Sequence, residues 1–367
     1  MQQVNAAVAA NTWPVVGPKL YAWGQNTYGA LGIGNTTNYS SPKQIGALAT
    51  WLKIAAGTYH TIATKTDGTL WTWGYNAQGQ LGLGNTTSYS SPKQVGALTT
   101  WLNIAGGGYG FTIATKTDGT LWSWGGGTAG RLGLGNTTSY SSPKQIGALT
   151  TWLKVACGDA YTLATKSDGT LWSWGTNGSG QLGLGNITNY SSPKQIGALT
   201  NWLNITSGGT TTIATKTDGT LWSWGQNSGG VLGLGNTTSY SSPKQIGALT
   251  SWLNISTRYA TLATKTDGTL WSWGGNAFGN LGLGNTTSYS SPKQVGSLTN
   301  WTTVSAGTRA SLSIKTDGTL WSWGGGTFGN LGLGNTTNYS SPKQVGSLTT
   351  WLNVASGQYW SVAVTTA

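Results

Sequence analysis

The sequence predicts an all-β fold: a seven-bladed β-propeller of four-stranded antiparallel blades, its ring closed by N-terminal strand residues that complete the C-terminal blade. Three observations predict it. A unit of about 50 residues recurs seven times. Each unit carries strand-period runs and one hairpin signal, with no helical apolar period. The two ends of the array are complementary fragments of a single unit.

The repeat is marked by Trp-Gly at Trp23, Trp73, Trp124, Trp174, Trp224, Trp273 and Trp323, spaced by 49 to 51 residues. The copies run from residue 18 to 367 almost without interruption, after an N-terminal segment of residues 1–17. A length of 367 residues alone suggests two or three domains, and the repeat replaces that expectation with one array.

The elements of one unit follow in order. Leu52 and Ile54 alternate with Trp51, Lys53 and Ala55, a first strand. Residues 61–66 (T-I-A-T-K-T) are alternating and β-branched, a second strand. Asp67-Gly68 follows, and Asp-Gly is the strongest short hairpin signal. Leu70-Trp71-Thr72-Trp73 then sets two Trp on one face of a third strand. The segment after Trp-Gly is rich in Gly, Asn, Ser and Pro and reads as a long loop. A short fourth strand is expected around Lys-Gln-Ile. The last copy stops after its second strand, and the first copy begins with G-P-K-L-Y-A-W-G, the missing third strand. Lys19–Trp23 is therefore expected to pair with Ser361–Thr365, removing two open sheet edges. The 22 Trp can supply the core.

At this point the residues resemble a known family. L-W-S-W-G-x-N-x-x-G-Q-L-G-L-G followed by I-A-C-G-x-x-x-T-L-A-T-x-x-D-G-T is similar to the regulator of chromosome condensation repeat, over nearly the whole chain. The resemblance implies a seven-bladed propeller with a split closing blade. It also implies one of several functions: nucleotide exchange on a small GTPase, chromatin binding, light sensing, or inhibition of β-lactamases by a secreted member. Two departures weaken the chromatin and GTPase readings. The family's His in G-x-x-H-T is kept only as His60, its counterparts being Phe111, Tyr161, Thr211, Ala260, Ala310 and Trp360. No long insertion of the exchange-factor kind is present in the sequence.

The copies differ mainly in two slots, one after Trp-Gly and one after the first strand. Strand parity puts both at the same end of every blade, with the Asp-Gly turns at the other. The expected recognition face comprises Tyr28, Tyr59, His60, Tyr75, Gln78, Tyr109, Phe111, Arg131, Asp159, Tyr161, Arg258, Tyr259, Phe278, Arg309, Phe328, Gln358, Tyr359 and Trp360. All three Phe, all three Arg and the only His fall there, amid Gly, Ser, Thr, Asn and Gln. Loops vary by drift alone, but aromatics and Arg set among small polar residues resemble interface hot spots and paratopes. The expected partner is a protein or glycan, in a virion, tail or cell-surface setting. An intracellular regulator and an enzyme inhibitor are the alternatives.

Composition excludes other classes. Charged residues make up 7% of the chain against a usual ~25%. One Cys cannot form an internal disulfide, and no apolar run approaches the ~18 residues of a membrane span. Met1–Val16 lacks a basic start and does not read as a secretory signal. Six of seven Asp are turn residues, so no catalytic base, cofactor or metal site is expected. Cys157 reads as a small buried residue, and G-L-G-N, with no helix after it, as a turn rather than a phosphate loop. The recurring N-T-T or N-I-T reads as turn residues, not as glycosylation sites. The net charge of +12 is mostly one S-S-P-K lysine copied seven times; six K-x-D turns cancel internally. Dedicated nucleic-acid binding is not expected from so even a spread.

Overall fold

A computed structural model describes residues 17–47 and 50–366. The reading of Met1–Val16 lies outside these residues. The described chain forms seven four-stranded antiparallel sheets. Six are continuous: residues 51–94, 101–145, 152–195, 202–245, 252–294 and 301–344, here blades one to six. Blade seven joins the ends, with strand order Tyr39–Gln44, Leu20–Gly24, Trp360–Thr365, Trp351–Ser356. Its register runs from Leu20 opposite Val364 to Trp23 opposite Ser361, as the complementary ends require.

Each blade follows one plan. The innermost strand (Trp51–Ala56 in blade one) lines a central channel, and the second (His60–Lys65) is buried on both faces. The Asp-Gly hairpin leads to the third strand (Leu70–Gly74). The outermost strand is Tyr89–Gln94, longer than expected and ending before the residue that follows Lys-Gln. It contains Pro92, which removes a ladder donor and is tolerated because this strand is the open edge.

The core lies between blades rather than within them. One cluster combines Phe111, Ile113 and Leu121 of blade two with Leu132 and Ile146 of the loops and Trp152, Ala164 and Trp174 of blade three. The seam is fixed by a hydrogen bond copied seven times. The Trp of Trp-Gly, fully buried, donates its indole N–H to a carbonyl of the preceding blade at 2.8–3.0 Å. The accepting residues are Ala30, Gln80, Arg131, Gln181, Val231, Asn280 and Asn330. The first Gly of L-G-L-G makes room: a Cβ on Gly82 would sit 2.7 Å from Trp124 Nε1. Its φ of +73 also favours glycine.

The six K-x-D turns cancel in charge but do not form contact ion pairs. Lys65 Nζ lies 3.6 Å from the centre of the Trp71 ring, a cation–π contact. Asp67 Oδ1 instead accepts from Thr69, from its amide at 2.9 Å and its hydroxyl at 2.6 Å. Those bonds hold the Asp67 carboxyl below its ordinary range.

Candidate functional site: the variable face and the channel

Alternating strand direction puts the loop after the innermost strand and the long loop after Trp-Gly at one end of each blade. Contacts across blades confirm that the two slots meet. Tyr28 packs on Tyr59 and Tyr75 with ring centres 5.0 and 4.7 Å apart. Phe328 packs on Tyr359 at 4.8 Å. Burial and the neighbouring Tyr28 raise the Tyr59 hydroxyl above its ordinary range. A second group lies across blades five to seven. The Arg309 guanidinium stacks between Phe278 and Tyr359, 4.4 and 5.3 Å from the ring centres. It borders a pocket of about 330 Å³ that Tyr259 and Gln358 also line.

The channel mouth at this end is crossed by a polar link. Arg258 Nη2 of blade five donates to Asp159 Oδ1 of blade three and Thr58 Oγ1 of blade one, each at 3.4 Å. Backbone bonds add to it: the Tyr109 amide donates to Asp159 C=O and the Asp159 amide to Gly209 C=O, at 2.8 and 2.9 Å. Below it the channel, about 470 Å³, is ringed by Lys53, Asn103, Lys154, Asn204, Asn254, Thr303 and Asn353. Lys53 Nζ donates to Leu102 C=O and Asn103 Oδ1, and Lys154 Nζ to Leu203 C=O and Asn204 Oδ1, at 2.7–2.9 Å. Burial lowers both lysines from their ordinary range. The ring ties blades one to six in succession, each to the next, a joint the sequence reading did not include.

The structure divides the eighteen expected face residues. Tyr28, Gln78, Tyr109 and Tyr259 are exposed; Tyr59, Tyr75, Asp159, Arg258, Phe278, Arg309, Phe328, Gln358 and Tyr359 are partly exposed beside them. His60, Phe111, Tyr161 and Trp360 are buried, so they do not meet solvent on that face as expected. They occupy one slot, the first residue of the second strand, and each packs over a glycine of its own blade (Gly57, Gly107, Gly158, Gly357). The polar ones then reach the next blade. His60 Nε2 meets Thr112 Oγ1 at 3.1 Å, the Tyr161 hydroxyl donates to Thr211 C=O at 2.6 Å, and Trp360 Nε1 donates to Thr58 C=O at 3.2 Å. Variation here is a set of alternative fillings for one seam. Arg131 is also buried, at 7% exposure.

Burial pushes the His60 imidazole down to about 4 and the Tyr161 hydroxyl up. It also pushes the Cys157 thiol up, which suits an inert side chain, here partly rather than fully buried. Asn85 Oδ1 accepts from the Thr87 amide at 3.0 Å, the turn role expected for N-T-T. Among the described residues no cluster of three or more His, Cys, Asp or Glu is placed to hold a metal.

The opposite face carries a feature the sequence reading missed. Of fifteen exposed large apolar side chains among the described residues, eleven are Leu. Leu98, Leu149, Leu199, Leu249, Leu298 and Leu348 lie in the loops between blades, beside the Asp-Gly turns; Leu52, Leu153, Leu203, Leu253 and Leu352 lie at the start of the innermost strands. The signal was present as A-L-T-T-W-L, but the sequence reading assigned only the second Leu of this pattern, as Leu52 of the first strand, and made nothing of the first.

Comparison with known proteins agrees with this architecture. The family model described as the Regulator of chromosome condensation (RCC1) repeat matches seven times, at residues 19–64, 67–114, 118–165, 168–215, 218–257, 267–314 and 317–364. The Ultraviolet-B receptor UVR8 of Arabidopsis thaliana is 33% identical over 130 residues, 35% of this chain and 30% of the receptor's length. Among solved structures, human WBSCR16 matches with TM-score 0.85 and 19% identity, covering 96% of this chain and 99% of its own. Prp20p from Saccharomyces cerevisiae, a structure described together with its binding to Gsp1p and histones, matches with TM-score 0.84 and 21% identity, covering 96% and 92%.

Proposed function

That the chain belongs to the regulator of chromosome condensation repeat family is the premise from which we propose a non-enzymatic scaffold that binds a protein partner through its variable face. The observation that carries the reading is the confinement of the differences between copies. Side chains that vary and remain accessible (Tyr28, Tyr109, Tyr259 and the Arg309 stack) gather at one end of the ring. Tyr and Arg are the residues that dominate interface energetics. Prp20p, of the same fold, is described as binding Gsp1p and histones, and a protein partner is the reading that fits both. A glycan is the alternative occupant, since Tyr, Asn and Gln also line the pocket beside Arg309.

The setting favoured is a virion, tail or cell-surface component. The leucine-bearing face supports this reading, because an exposed apolar surface repeated around a ring suits permanent packing against an assembly. An intracellular regulator of chromatin or GTPase type and an enzyme inhibitor are the competing readings. The test is affinity capture from the source cell with three chains: wild type, Tyr109→Ser/Tyr259→Ser/Arg309→Ser, and Leu149→Ser/Leu199→Ser/Leu249→Ser. The reading expects the first triple variant to lose the captured protein and the second to keep it. The reverse pattern moves the recognition surface to the leucine face.

A further inference from the structure

Arg131 occupies the inward position whose carbonyl receives the indole bond of the next blade. All seven occupants of that position are at most 7% exposed, and Arg131 is the only charged one. The two Gln occupants use their side chains locally. Gln80 Oε1 accepts from the Gln78 amide at 2.9 Å and Gln181 Oε1 from the Ser179 amide at 2.8 Å. A guanidinium has no acceptor to offer. In its blade Ala129 takes φ +59, the only non-glycine residue with positive φ among the described residues; Gly229 stands at the same place, at +67, ahead of Val231.

The charge is left without a counter-ion. Arg131 Nη1 donates to Tyr109 C=O at 3.3 Å, and the guanidinium carbon lies 5.9 and 5.8 Å from the Tyr109 and Phe111 ring centres. Nε has no partner. Among the described residues the one ion pair is Arg258–Asp159, so Asp159, which abuts Gly108 on the rim, is already engaged. A buried charge is costly unless paired, and the described residues supply no pair. Arg131 instead borders a pocket of about 330 Å³ between blades one and two, walled by Tyr59, Tyr75 and Tyr109 and floored by His60 and Gln80. No acidic residue lines it.

We propose that this pocket receives one carboxylate of the partner, an acidic side chain inserted between the tyrosines and paired with Arg131. The inference rests on the variable face being the recognition face. One guanidinium balances one carboxylate, whereas a phosphate of charge about −2 calls for a second cation that this pocket does not hold. The tyrosine walls suit the methylene stem of an acidic side chain, and the planar fork suits its carboxylate.

The test uses the full chain and butyrate as a side-chain mimic. The chain has three Arg, so the Nε–H resonances are few, and Arg258 and Arg309 serve as internal references. Butyrate is expected to shift the Arg131 Nε–H signal saturably at millimolar concentrations, and neutral butyramide to leave it unmoved. Arg131→Gln places in the slot the residue that Gln80 and Gln181 already carry there, so it is expected to fold. It should abolish butyrate-induced thermal stabilisation and weaken the captured partner about tenfold or more, the effect of losing a charge-assisted bidentate pair. An Arg131 signal that ignores butyrate, that moves equally with butyramide, or that moves with inorganic phosphate alone overturns the carboxylate assignment. Loss of the partner in the tyrosine variants with a silent Arg131 sinks the pocket and leaves the face reading standing. A butyrate response with partner binding intact in those variants does the opposite.

Discussion

The two ends of the propeller obey different rules. At the Asp-Gly end all six continuous blades repeat the same contacts: the Asp carboxylate on the Thr two residues later, that Thr on the indole of the following Trp, and Lys on the Trp rings. At the other end the copies part company, and seven blades present Tyr, Phe, Arg or Gly at equivalent places. The difference teaches where a closed repeat can vary. At the Asp-Gly end each side chain is held by partners within its own hairpin, so a change at one leaves the others unpartnered. A loop whose backbone is tied by its own Gly and Asn can change its side chains freely. Asn76 illustrates the tie: its Oδ1 accepts from the Leu81 amide at 2.9 Å while its Nδ2 donates to Asn85 C=O at 3.0 Å.

That contrast yields predictions in descending size. The seam should be the least tolerant place. Trp174→Ala empties a fully buried site, loses the bond to Arg131 C=O and is expected to cost about 3–5 kcal/mol, read as a denaturant midpoint shift. Survival of Trp174→Ala with an unchanged midpoint would break the account of the seam.

The buried inter-blade slot comes next, and it carries a pH signature. His60 is held at about 4 against an ordinary 6.5. Between those values the unfolded chain takes a proton that the folded chain refuses, so stability falls as pH drops through this window. At about 1.4 kcal/mol per pH unit the loss approaches about 3 kcal/mol by pH 4. His60→Phe, copying Phe111, should flatten that slope in pH-dependent unfolding; a slope that survives it assigns the titration elsewhere. The six Asp of the turns act at lower pH. Their depressed values contribute stability above the ordinary carboxylate range that is lost as pH falls below it.

The uniform turns should follow. Gly119→Ala forces a Cβ to within 2.0 Å of Thr150 C=O at φ +76 and is expected to cost on the order of 1–3 kcal/mol. The smallest stability effect belongs to the exposed variable residues. Tyr109→Ser or Tyr259→Ser should change stability by no more than about 0.5 kcal/mol while weakening partner binding. A large melting shift in either variant would make these tyrosines structural.

The architecture was almost wholly legible in the sequence, because periodicity, the hairpin signal and complementary ends are properties of the chain's own order. The closing register of Lys19–Trp23 against Ser361–Thr365 is the clearest case. The fourth strand was displaced, since Y-S-S-P-K-Q contains Pro and few apolar residues, and only its edge position makes it a strand. The candidate face was legible as an end of the ring but not residue by residue. Parity says which end a loop occupies; it does not say which side chain turns inward. Thus His60, Phe111, Tyr161 and Trp360 read as surface and proved to be seam. The leucine face was missed because its pattern appears only when eleven single leucines are brought to one end.

The central claim is that the blades are a common scaffold and that accessible variation at one end carries the function. A chain made uniform there tests it most directly. Tyr28, Tyr59, Tyr75, Tyr109, Tyr259, Phe278, Arg309, Phe328 and Tyr359 would be replaced together by Ser or Thr, the residues other copies carry at Thr176, Ser179 and Thr210. Partner affinity and unfolding midpoint are then measured on the same preparation. The account predicts a folded propeller with its partner lost. A folded propeller that still binds its partner contradicts it.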